Sequence, residues 1–109
     1  MSPGLPTEDK ARKALPLWTF LFGYFPDAIL AMVGVSVAGQ RQHNPDDPPN
    51  TMRWAREKST DQMNTAMRHL WDYGRGVRLD TDGQYHLAKA LWRIAAQLQL
   101  DIEADRPPC

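Results

Sequence analysis

The chain has 109 residues, 42% of them hydrophobic, and its 13 basic and 13 acidic side chains cancel. That length holds one domain with a small core, in which at best about two thirds of the unfolded chain's surface becomes buried. Zero net charge speaks against non-specific attachment to a nucleic-acid backbone or an anionic membrane, so neither is expected as a partner.

The single cysteine, Cys109, follows Pro107-Pro108. It can form neither an internal disulfide nor a four-ligand zinc site, which makes a reducing cytoplasm the expectation. No apolar run stands behind a basic start, so no secretory signal is read. The one apolar stretch, residues 15–38, is divided by Pro26-Asp27 into pieces shorter than the roughly 20 residues of a membrane span.

In chain order, residues 1–14 mix proline, glycine and charge without periodicity and read as a flexible tail. Residues 15–104 read as a single helical domain, and 105–109 as a second tail. Pro16 suits the first position of a short helical segment, residues 17–24, rich in Trp18, Phe20, Phe22 and Tyr24. Pro26 opens the next helix, with Asp27 at its positive end. Residues 28–38 are apolar on every side, which predicts a buried helix, either the centre of the bundle or the seam of a homo-oligomer. Residues 44–50 are a loop. Residues 52–58, with Trp54 and Arg56, fit a helical turn or an ordered loop equally well.

Ser59-Thr60-Asp61-Gln62 has the form of a capping box and predicts a third helix to about Tyr73, with Met63, Ala66, Met67 and Leu70 as its apolar stripe and Gly74 as its stop. Thr81-Asp82-Gly83-Gln84 repeats the pattern ahead of a last helix of about 20 residues, in which Leu87, Leu91, Ile94, Leu98 and Ile102 keep the helical period. No strand-like alternation or internal repeat is present. The expected class is all-α, a small bundle of about four helices completed by homo-oligomerisation through residues 28–38.

Polar residues gather around the loop between the last two helices. His69 lies five residues before Gly74 and His86 five after Thr81, so both stand at one level of an antiparallel hairpin. His86, Lys89, Arg93 and Gln97 share a stripe, and Asp80 and Asp82 sit in the loop. Residues 53–93 hold eight basic and five acidic side chains, a local balance that favours an anion. Taken singly, Arg68, Lys89 and Arg93 are ordinary solvated charges, and Trp54 is ordinary core. Their convergence suggests a site for a planar anion, a nucleotide.

The segments Lys13-Ala14-Leu15-Pro16, Trp54, Ala66-Met67-Arg68-His69-Leu70, Gly74, Asp80-Thr81-Asp82-Gly83 and His86-Leu87-Ala88-Lys89-Ala90 resemble, in order, the motifs of phage dATP/dGTP diphosphohydrolase-like proteins, a small helical family. The resemblance covers roughly residues 13–100. It implies nucleotide handling in the cytoplasm of an infected bacterial host. The sequence departs from the family at Lys89, which stands where the family has a second histidine, and at the missing serine of the aspartate loop. The only glutamates are Glu8, Glu57 and Glu103, so the paired carboxylates that helical pyrophosphohydrolases use to hold metal are absent.

The reading that follows is a binding protein that sequesters a nucleotide without turnover and without a cofactor, the nucleotide being a cyclic or modified signal of host antiviral defence. The expected contacts are Trp54, Arg56, Arg68, His69, Asp80, Asp82, His86, Lys89 and Arg93, with no catalytic residue. The alternative is a metal-dependent dATP/dGTP diphosphohydrolase, with Asp80 and Asp82 holding magnesium or manganese. A purely structural helical adaptor stays open beside both.

Overall fold

A computed structural model describes residues 4–58 and 60–106, so the expectations that fall on Ser59 and on Pro107 to Cys109 lie outside the described residues. The described residues are all-α apart from one isolated antiparallel bridge between Leu79 and Tyr85. Four α-helices occur in order: α1, Asp9–Lys13; α2, Pro26–His43; α3, Gln62–Gly74; and α4, His86–Asp105. A π-helical segment, Thr19–Tyr24, precedes α2.

Helix α1 lies in the stretch expected to be a tail. Glu8 caps it by accepting from the backbone N–H groups of Lys10 and Ala11, yet none of its residues is buried. Pro26 opens α2 as its composition predicts, since the missing N–H of a first-turn proline has no partner to lose. Residues 52–58 form an ordered loop, with the short-range backbone bonds Arg56 N–H to Trp54 C=O and Lys58 N–H to Ala55 C=O.

The bundle is built on α4. Helix α3 packs most extensively against it, α2 packs on another side, and the π-helical segment rests on α2. Helix α2 is therefore not the bundle centre: Gln40 is its one buried residue, while Leu30 is 69% exposed. The uniform apolarity of residues 28–38 gives all faces an equal claim to burial, and a chain this short has too little mass to cover them all.

The residues that α3 and α4 bury are small or polar. Gln62 and Ala66 of α3 and His86, Ala88, Ala90 and Ala96 of α4 are buried. Most of the large apolar side chains assigned to the stripes stay exposed, Met63, Met67, Leu87, Leu91, Ile94 and Leu98 among them, whereas Leu70 and Ile102 are half-buried. Polar side-chain bonds join α3 to α4, His69 with His86 and Gln62 with Arg93, although the larger apolar side chains would bury more area.

The capping box expected before α3 rests on Ser59 and lies outside the described residues, and the one expected before α4 does not form. At the start of α3 the cap position is Asp61, without a side-chain cap bond, and Gln62 turns inward to accept from Arg93 Nη1 at 3.1 Å. Before α4, Thr81 to Gln84 make a turn. The Asp80 N–H donates to the Gln84 carbonyl at 2.8 Å, and the Gly83 N–H donates to the Asp80 carbonyl at 3.0 Å. Gly83 holds φ at +82°, a left-handed conformation that L side chains resist. The bridge Leu79 to Tyr85 closes this loop, so α4 begins at His86, four residues after the expected start at Asp82.

Candidate functional site

The closed loop sets the position of the site. Because the His86 N–H donates to the Arg78 carbonyl at 3.0 Å, the chain turns directly from the loop into the first residue of α4. His86 is buried there, 3% exposed. His69, one and a half turns before the end of α3, meets it with the two Nδ1 atoms 2.9 Å apart. The expected level match between the histidines is thus present, reached through the folded loop and not through two helices of equal overhang.

Lys89, one turn into α4, ties down the loop. Its Nζ donates to Asp80 Oδ2 at 2.7 Å and to Asp82 Oδ2 at 2.8 Å. Backbone donors complete the carboxylates: Thr81 N–H to Asp80 Oδ1 at 2.7 Å, and Gln84 N–H to Asp82 Oδ1 at 3.0 Å. The Lys89 hydrogen bond, aided by Thr81, pulls the Asp80 pKa down to about 2, and Lys89 with Gln84 also lowers that of Asp82. Burial disfavours the Lys89 charge, but the two carboxylates outweigh it and raise its pKa. His69 is held below its ordinary value by burial first, then by the positive field of His86, Lys89 and Arg93, with Asp80 acting in the opposite sense.

Of the nine residues expected in the site, five converge: His69, Asp80, Asp82, His86 and Lys89. Arg93 lies one turn further along α4, bonded to Gln62 and close enough to act on His69. The other three are elsewhere. Arg68 is exposed on the outer side of α3, where its Nη2 donates to Thr65 Oγ1 at 2.8 Å and lies 3.7 Å from Asp61. Trp54 packs edge-on against Trp92, whose Nε1 donates to Ser36 Oγ of α2 at 2.6 Å, so it covers the α2 side of α4. Arg56 lies over the Trp54 ring and pairs with Glu103. Glu103 is fourteen residues beyond Lys89, about 21 Å along the helix.

Two contributors escaped the sequence reading. Asp72 places Oδ2 3.8 Å from His86 Nε2, on the ring edge opposite the Nδ1 that faces His69. Gln62 is fully buried beside Arg93. Both share the His69 side of α3 by helical spacing, a signal that was available but ambiguous before the rotation of the helix was known. The loop also reaches α2, for Gln84 Oε1 stands within 3.6 Å of where a Cβ on Gly34 would be.

Magnesium or manganese shared by Asp80 and Asp82 does not fit this arrangement. The Lys89 ammonium already stands between the two carboxylates, bonded to both. His69, Asp80 and His86 do place one ligating atom each within 4.8 Å of one another. No helix among the described residues is long and apolar enough to cross a membrane.

The profile of the family described as dATP/dGTP diphosphohydrolase, N-terminal, matches residues 6–106. No curated protein and no solved structure matches the chain.

Proposed function

Since the chain belongs to the dATP/dGTP diphosphohydrolase N-terminal family, we propose that it binds a purine nucleotide at the cluster of the 79–85 loop and holds it without turnover. One observation carries the second half of this reading: Lys89 is bonded to both loop aspartates. A hydrolase of this reaction class needs carboxylates free to hold an ion that activates water and neutralises phosphate charge. Here an ammonium has taken that place, and the nearest groups able to donate to a phosphate are Lys89 and the two imidazoles, with Arg93 a turn away.

The ligand class extends to cyclic and modified purine nucleotides, and a phage-encoded protein of this kind would act as a sponge for a host's antiviral signal. A second copy of the chain completes the binding unit. The support for this is the apolar surface left by Trp18, Phe20, Phe22, Tyr24, Phe25, Leu30 and Val33, all exposed.

The second reading, metal-dependent hydrolysis of dATP or dGTP to monophosphate and pyrophosphate, is favoured by the family itself. It requires Asp80 and Asp82 to be released from Lys89. Mass spectrometry of small molecules freed by heat from the purified protein, with calorimetry against dATP, dGTP and cyclic purine nucleotides, tests the first reading. An intact nucleotide and binding without pyrophosphate release are expected. Binding no tighter than about 1 mM to every nucleotide would overturn it. Metal-dependent pyrophosphate release that disappears in Asp80→Asn would establish the second reading in its place.

A further inference from the structure

We propose that His69, Asp80 and His86 form a three-ligand site for a borderline divalent transition ion, of the zinc or cobalt class, where α3, the 79–85 loop and the start of α4 meet. This site differs in ligands and in metal class from an Asp80–Asp82 magnesium site, and it does not depend on whether a nucleotide is held.

Four observations carry it. The ligating atoms of the three residues lie within 4.8 Å of one another, although they come from three separate segments of chain. The His69 and His86 Nδ1 atoms stand 2.9 Å apart; with metal–nitrogen bonds of about 2.0–2.1 Å, two nitrogens on one tetrahedral ion stand about 3.3 Å apart, so the rings need to open by only a few tenths of an ångström. His86 is buried, so its ring is fixed by packing. Its far nitrogen, Nε2, lies 3.8 Å from Asp72 Oδ2, longer than a hydrogen bond but on the side from which a carboxylate orients a ligating imidazole once the gap closes.

The donor set selects the metal class. Two imidazoles and one carboxylate suit zinc, cobalt or nickel, whereas magnesium and calcium take oxygen. Three protein ligands leave at least one coordination position for water or an anion. Charge points the same way: with neutral imidazoles, Asp80, Asp82 and Lys89 together carry one negative charge, and a divalent ion makes the group singly positive. Lys89 shares the Asp80 carboxylate, through Oδ2, and therefore competes with the ion by repulsion.

The test is titration of the full chain, stripped of metal with a chelator, with cobalt(II) alone, read by its visible absorption. One equivalent is expected to saturate a band that zinc then abolishes. His69→Gln and Asp80→Asn should lose the band while keeping the helical circular dichroism of the parent. Asp72→Asn should weaken cobalt binding about tenfold, the usual loss on removing an orienting partner. Lys89→Met should tighten it. His43→Gln, at the far end of α2, should bind as the parent does. Absence of a band in the parent, its survival in both His69→Gln and Asp80→Asn, or its loss in His43→Gln overturns the proposal. His69→Gln and Asp80→Asn decide the matter even where replacing the buried His86 unfolds the chain.

Discussion

His69 and His86 face each other Nδ1 to Nδ1 at 2.9 Å, so in the metal-free protein the two rings form one hydrogen bond only if one Nδ1 carries the proton and the other does not. A second proton would leave two N–H groups in opposition. Burial and the neighbouring positive charges lower the pKa of His69, so the folded state takes up its proton at a lower pH than the unfolded chain. In that window the unfolded chain binds more protons, and stability must rise with pH. The stability held by a neutral His69 is complete above the unfolded value of about 6.5 and is lost as pH falls through the lowered folded value. A melting temperature followed from pH 8 downward should decline below pH 6.5, and His69→Gln should flatten that part of the profile.

Lys89 is the second lever on stability. It is largely shielded, its side chain 18% exposed, and it is the shared partner of Asp80 and Asp82. Lys89→Met should cost about 1–2 kcal/mol at pH 7, a figure discounted for the half-exposed Asp82. The aspartates' pKa values are depressed, so this contribution is complete above about pH 4 and lost as pH falls through their folded values, that of Asp80 being about 2. Urea denaturation of the parent and Lys89→Met should differ at pH 7 and converge near pH 2. A difference that persists undiminished at pH 2 would assign the effect to packing of the lysine stem and not to its charge.

Ser36 anchors α2 to α4 by accepting from Trp92 Nε1 at 2.6 Å. Ser36→Ala removes the acceptor of this half-buried bond, at a cost of about 1 kcal/mol. Ser36→Thr keeps an acceptor and should recover part of that loss. Chemical denaturation of the two variants gives the comparison directly.

The all-α class was legible because α2 and α4 are long and carry unbroken helical signals, from Pro26 onward and through the Leu87 to Ile102 spacing. The rotation of the helices was not legible. Periodicity marked Met63, Ala66, Met67, Leu91 and Leu98 as the inner faces; Ala66 is indeed buried, but the other four stay exposed and Gln62, Ala90 and Ala96 are buried in their place. An alanine face beside a leucine face gives two apolar stripes on one helix, and sequence alone does not rank close approach against buried area. The site was legible where residues are near in sequence. Asp80, Asp82, His86 and Lys89 fall within ten positions and meet through one turn closed by Gly83. Trp54, Arg56 and Arg68 were grouped with them by charge and aromaticity, and Trp54 and Arg68 also by motif resemblance; none of these reports distance.

The misplaced apolar stripes lead to the last prediction. Leu30 and Val33 of α2 stand exposed beside the aromatic segment that carries Trp18, Phe20, Phe22 and Tyr24. Three ring contacts, Trp18 with Phe22 at 4.3 Å and Phe20 with Tyr24 and Phe25 at 5.4 Å, already order this patch within one chain, so little further side-chain entropy is lost when a second copy covers it. Exposed apolar side chains in this number are unfavourable in water and are covered most simply by a two-fold mate. Light scattering coupled to size-exclusion chromatography should give a mass at least twice 12.4 kDa. Leu30→Glu, which sets a charge in the middle of the patch without touching the α2–α4 contact through Ser36, should reduce the mass to that of one chain and leave the helical circular dichroism unchanged. A monomeric parent would remove the second copy from the proposed binding unit and leave the loop cluster to hold its ligand alone.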